Sequence, residues 1–331
     1  MAVLDIFNPQ KTVVASGLEG KSFLVYGGNS VGKTSQAVRM SKPFVIATES
    51  GLNATVGVPY ARVTSWADFK KIVNQFTKKT TVAKAREMYD TIIIDEVYAS
   101  SILCQDYVIA TYGEGALSLG DSQGKVNLYQ MYEKEYFKMI NLLLSCDYTV
   151  VFIGHAQEKD GKMTPKGDKR CIDPIKDFAD YIIYVESNGV DENGKVIPSS
   201  AYLAETDRFF ARSRFETTPT YLPEWSVEAL TEAVNIGIQD LVAQHDTTAV
   251  TCDEQKAQNT PEVYDYDKVM AEIQECGQKM AEAGYMEELT EIVENTLGVG
   301  KKVTECSKKQ IEAMVIILGD LKDKLEELAL L

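Results

Sequence analysis

Histidine is nearly absent: the 331 residues contain two, His155 and His245, which excludes an HExxH metal helix. The six cysteines (Cys104, Cys146, Cys171, Cys252, Cys276 and Cys306) are scattered without a CxxC pair. That removes a zinc ribbon and a disulfide framework and fits reduced thiols. No GxSxG nucleophile elbow occurs. No charge-poor run reaches the roughly 18 residues needed to cross a bilayer, and no basic segment followed by an apolar stretch opens the chain. A soluble, cytoplasmic protein with no membrane contact is expected.

Positive charge is also short, with 34 Lys and Arg against 49 Asp and Glu, a net charge of −15. The deficit is uneven: the balance is −1 up to Leu222 and −14 beyond it. Such a shift marks a domain boundary, and an acidic surface repels nucleic acid, so any contact with DNA belongs to the first part. The expected division is a core over 1–222, a helix and polar linker over 223–262, and an acidic helical module over 263–331. A hydrophobic content of 45% supports a proper core.

What the chain does have is a complete phosphate-loop pattern. Gly27, Gly28, Asn29, Ser30, Val31, Gly32, Lys33 and Thr34 satisfy GxxxxGK[ST], and Ser35 follows. The apolar run Ser22 to Tyr26 before it reads as a strand, and Thr34 to Met40, free of proline and glycine, reads as a helix. In that context the loop turns backbone N–H groups toward an anion, Lys33 reaches the β- and γ-phosphates, and Thr34 holds Mg²⁺ through its hydroxyl. ATP with Mg²⁺ is the expected ligand.

Three further strands end in polar residues. Pro43 to Thr48 ends at Glu49, a carboxylate able to act as a base. Thr91 to Ile94 is followed by Asp95 and Glu96, the pattern of a Walker B strand. Asp95 is expected to hold Mg²⁺ through water, and Glu96 to orient or deprotonate an attacking water. Tyr148 to Gly154 delivers His155 and Gln157 to the same sheet edge, where a polar residue can sense the γ-phosphate.

From Glu158 to Lys176 the chain carries six basic residues among Gly161, Pro165 and Gly167. This reads as a flexible basic loop, either a contact for single-stranded DNA or a solvated loop diluted by its four acids. Tyr181 to Glu186 and Ala201 to Thr206 read as an edge hairpin. Arg208, Arg212 and Arg214 follow among aromatics, and an arginine there can neutralise phosphoryl charge on a neighbouring subunit. Beyond Pro223 come helices, the last capped by Ser307 with an apolar stripe from Ile311 to Leu328. They form a small docking module for a protein partner.

Taken in order, YGGNSVGKTS, FVIATESG, TIIIDEV, VVFIGHAQEKDG and ARSRFETTP make residues 20–222 resemble the RecA-like ATPase core of phage nucleotide-binding proteins, in particular the Sak-group ATPases associated with single-strand annealing. The resemblance implies an α/β fold with a mainly parallel sheet, the sensor strand lying between the phosphate-loop and Walker B strands. It also implies ATP held at subunit boundaries of a ring or filament. It assigns Lys33 and Thr34 to phosphate and Mg²⁺, Asp95 to the Walker B position, and His155 or Gln157 to the sensor. Glu49 falls where such enzymes have their catalytic base, beside Glu96 as the other candidate. Arg212 and Arg214 resemble the paired Lys-x-Arg inserted in trans, with arginine in place of lysine. The function implied is a DNA-dependent ATPase of recombination or replication in a phage-infected cell. A nucleotide-gated interaction protein and a ring translocase or helicase are the alternatives.

Overall fold

The computed structural model of the chain describes residues 9, 11–49, 51, 55–121, 126–259 and 264–330. Its elements run β1 (Ser22–Gly27), α1 (Lys33–Ala37), β2 (Pro43–Ala47), β3 (Tyr60–Arg62), α2 (Trp66–Thr77), α3 (Val82–Met88), β4 (Thr91–Asp95), α4 (Val97–Tyr112) and α5 (Leu128–Leu144). Then follow β5 (Thr149–Lys159), β6 (Lys162–Pro165), α6 (Lys169–Phe178), β7 (Tyr181–Glu186), β8 (Ser200–Tyr202), β9 (Arg212–Ser213) and β10 (Tyr221–Leu222). The last helices are α7 (Val227–Gln244), α8 (Cys252–Asn259), α9 (Tyr266–Glu282), α10 (Met286–Leu297) and α11 (Ile311–Glu327). The sequence of 112–127 carries enough glycine to predict a mobile loop, and residues 122–125 of it lie outside the described residues.

One sheet runs through residues 11–257, in the order β10-β8-β7-β1-β5-β4-β2-β3. The six strands from β7 to β3 are parallel, while β8 and β10 close one edge antiparallel. The sensor strand β5 therefore lies between β1 and β4, the order that the resemblance implies. Alternation along each strand splits the core into two faces. Leu24, Tyr26, Ile92, Ile94, Val150 and Phe152 pack under α2, α4, α5 and α6, and Phe23, Val25, Ile93, Val151 and Ile153 pack toward α1 and α7. Being covered on both faces, the strands read as unbroken apolar runs.

Two segments differ from expectation. The stretch 158–176 is ordered, not a flexible loop: β5 continues to Lys159 and pairs antiparallel with β6, and α6 follows. Asp160 and Gly161 supply the positive φ of a tight two-residue hairpin turn. Residues 223–257 also belong to the first compact unit. α7 buries Leu230, Ala233, Val234 and Ile238 in the same core as Phe23 and Val25, and exposes Glu228, Glu232 and Asp240. Those acids begin the surplus beyond Leu222, most of which lies past α7. Val250, within the expected linker, is bound on both sides, its N–H donating to Val14 and its carbonyl accepting from Ser16.

The carboxyl-terminal residues form a unit of their own from 258. α9 and α11 share a core of Val269, Ile273, Met280, Met314, Ile317 and Leu321, with Leu289 and Ile292 of α10 against it. Ser307 and Gln310 make a capping box ahead of α11. Among the described residues no helix is long and apolar enough to cross a membrane.

Gly27 is the tightest point of the phosphate-loop strand: a Cβ there would stand 2.3 Å from the carbonyl oxygen of Val185, whereas one at Gly28 meets only Val31 Cγ1 at 3.9 Å. Gly27→Ala is expected to cost about 1–3 kcal/mol and lower the melting temperature, with Gly28→Ala near wild type. Thermal unfolding of the two variants checks this. Equal melting temperatures would show that β1 and β7 can part without cost.

Candidate nucleotide site

The parallel register brings the polar strand tips together. Gly27 stands opposite His155, Asp95 opposite Ile153, and Ala47 opposite Asp95, so the residues just beyond them share one edge. The loop from Gly27 to Lys33 begins there. Gly32 has φ of 85°, in the left-handed region that favours glycine, and it opens α1. Lys33 is buried, and its Nζ donates to the carbonyls of Gly28 at 2.6 Å and Gly27 at 3.2 Å. Burial pulls its ammonium below the ordinary range, against Asp95, Glu96 and Glu49, which hold it up.

Thr34 Oγ1 donates to Asp95 Oδ2 at 2.8 Å. Burial raises the Asp95 carboxyl, and the Thr34 hydrogen bond opposes that shift. A hydroxyl and a carboxylate so close together are hard oxygen donors of the kind Mg²⁺ takes from a protein, so the pair fits the ion.

Glu96 is buried and caps α4, its Oε1 accepting from the N–H of Ala99 at 2.9 Å, so that the helix begins at Val97. Its Oε2 has no partner among the described residues. Burial pushes its carboxyl up to about 7, with the Ala99 amide pulling down and Glu49 adding to the rise. Thr48 ties the tips of β2 and β4, accepting from the Glu96 N–H and donating to the Glu96 carbonyl, both at 2.9 Å. Beyond it Glu49, 44% exposed, brings Oε2 to 3.8 Å from His155 Nε2. Gln157 lies two residues farther along β5, where its amide donates to the carbonyl of Pro165 and braces the hairpin.

The arginines lie elsewhere. Arg212 pairs with Ile182 at the amino-terminal end of β7, the sheet edge opposite the phosphate loop, and its guanidinium donates to the carbonyls of Lys176 and Ala179. Arg214 donates to the carbonyl of Asp177 at 2.6 Å. Both therefore close the carboxyl end of α6. Arg214 remains 48% exposed. Arg208, by contrast, reaches Glu186 at the phosphate-loop edge, at 2.6 Å.

One contact had no signal in the motifs. The indole N–H of buried Trp225 donates to the carbonyl of Gly32 at 3.3 Å, and the N–H of Val227 donates to Gln36 Oε1 at 3.2 Å. The start of α7 thus grips the phosphate loop and the helix after it.

A glycine loop at the end of β1, a hydroxyl–carboxylate pair joining the helix after it to β4, and β5 lying parallel between the two strands define a P-loop ATPase domain. Residues 19–215 match the model of the AAA domain family, and the chain belongs to that family. It is also similar to the SPbeta prophage-derived uncharacterized protein YorG of Bacillus subtilis (strain 168), 48% identical over 330 residues that cover 98% of this chain and 99% of that protein.

Replacing Trp225 with Phe keeps an aromatic side chain, though a smaller one, and removes the donor to Gly32. Loss of one such bond is worth about 1 kcal/mol, so ATP affinity is expected to fall about fivefold in a nucleotide titration. Wild-type affinity in Trp225→Phe would show that the grip does not shape the loop.

Proposed function

We propose that this chain is a Mg²⁺-dependent ATP hydrolase of phage origin, RecA-like in its site, which assembles with copies of itself and acts on single-stranded DNA. The observation that carries the proposal is the Thr34–Asp95 pair at 2.8 Å beside the loop that holds Lys33. The N–H groups of the loop and Lys33 bind the phosphates, and Thr34 and Asp95 hold Mg²⁺, which when bound neutralises charge on the phosphate oxygens. Glu49 takes the proton of the attacking water. It is the more open of the two acids, while Glu96 is buried and spends one oxygen on the cap of α4. His155 lies between Glu49 and the loop strand and reads the γ-phosphate.

The DNA part of the reading is supported by position and chemistry. Lys159, Lys166 and Lys169 are exposed on the β5–β6 hairpin and at the start of α6, directly beyond the sensor. Lys166 lies over the ring of Tyr98 and Arg170 over that of Tyr129, so basic groups and aromatic rings sit together there, the two components that strand-binding surfaces combine. The prophage origin of the similar protein supports the phage setting. Assembly rests on Arg214, whose side chain donates to the Asp177 carbonyl and meets Asp180 at 3.8 Å, yet stays 48% exposed and so open to a neighbour.

Turnover of ATP tests the reading as a whole. Wild-type chain is expected to hydrolyse ATP faster with single-stranded DNA, the stimulation falling steeply with salt, and Lys33→Ala to be inactive. Mixing Lys33→Ala with Arg214→Ala chains restores part of the rate if the arginine acts across a boundary. Full turnover in Lys33→Ala removes the ATPase reading. A rate indifferent to DNA removes the DNA reading, and no recovery on mixing removes the shared site.

A further inference from the structure

Glu49, Glu96 and His155 come from three different strand tips, yet each places a ligand atom within 4.8 Å of the others. The Glu49–His155 separation, 3.8 Å, is already close to the roughly 3.4 Å between two donors on one tetrahedral ion with bonds near 2.1 Å. The third member makes the cluster more than a surface coincidence. Glu96 is buried, its side chain held by the Ala99 amide and its backbone by Thr48, and its Oε2 has no hydrogen-bond partner among the described residues. A buried carboxylate oxygen without a partner is costly unless a cation or a water meets it.

We propose that Glu49, Glu96 and His155 form a binding site for a first-row divalent cation, Mn²⁺ or Zn²⁺, separate from the Thr34–Asp95 pair that serves the Mg²⁺ of the nucleotide. One imidazole and two carboxylates suit these ions better than Mg²⁺ or Ca²⁺, which take oxygen alone. Three protein donors leave positions open for water. The backbone is already set: Glu96 is fixed by its cap, and closing the site asks only for small side-chain movements at Glu49 and His155, both partly exposed. An ion bound there takes Glu49 out of use as a base. That consequence rests on the ATPase reading; the site does not.

The experiment therefore uses the nucleotide-free full chain and Mn²⁺, which avoids the thiols that compete for Zn²⁺. Electron paramagnetic resonance of free Mn²⁺ measures uptake, and pulsed measurements detect coupling to an imidazole nitrogen. Wild type is expected to take up one ion with nitrogen coupling. Glu49→Gln is expected to bind at least about tenfold more weakly, and His155→Ala both to bind that much more weakly and to lose the coupling, while Thr34→Ala retains both. Circular dichroism confirms that each variant is folded. Uptake without nitrogen coupling in wild type, coupling that survives His155→Ala, or loss of the ion in Thr34→Ala would overturn the site. Failure of nucleotide binding in wild type would sink the ATPase reading and leave this result untouched.

Discussion

Parallel register at one sheet edge is the constraint on which the site depends. β1, β5, β4 and β2 run the same way, and Gly27 opposite His155 and Asp95 opposite Ala47 fix which residues leave the sheet together. Each strand is buried on both faces, so a one-residue slip would send every side chain into the opposite core, whose packing does not fit it. The hydrophobic core thereby sets the separation of the polar groups. Lys33, Thr34, Asp95, Glu96, Glu49 and His155 need no coordination among themselves to meet; the packing of Phe23, Ile93, Val150 and Phe152 brings them together.

A second layer of hydrogen bonds makes the edge rigid. Thr48 joins the tips of β2 and β4, Glu96 anchors α4, and Trp225 carries the grip of α7 to Gly32. These bonds hold in place a set of partly desolvated charges that would otherwise spread apart. Burial raises Asp95 and Glu96 and lowers Lys33, and the opposite charges offset part of that cost. The edge is a place where charge is held ready for a ligand.

The phosphate loop, the Walker B strand and the sensor strand were legible because each is a local pattern, a glycine spacing or an apolar run with a polar tip. The boundary of α4 was less so. Glu96, read from the motif as an acid beside the attacking water, also caps the helix, which begins at Val97. The hairpin after the sensor was written in Asp160 and Gly161, yet the density of lysines drew the reading toward a flexible loop. Arg212 and Arg214 show what sequence cannot supply: the carbonyls they bind lie more than 30 residues earlier in the chain. Trp225 and Gly32 are 193 residues apart, and no spacing rule links them. The acidic surplus marked a real change of composition, but α7 carries acids outward while its apolar face completes the first core.

The central claim is that Thr34 and Asp95 act as one unit on the ion that accompanies ATP. The direct measurement is the gain in ATP affinity on adding Mg²⁺, in wild type, Thr34→Ala, Asp95→Asn and the double variant. The account predicts that either substitution alone removes most of that gain and that the double variant loses little more, the non-additivity expected of groups sharing one ligand. A gain that survives in both single variants, or losses that simply add, would contradict it.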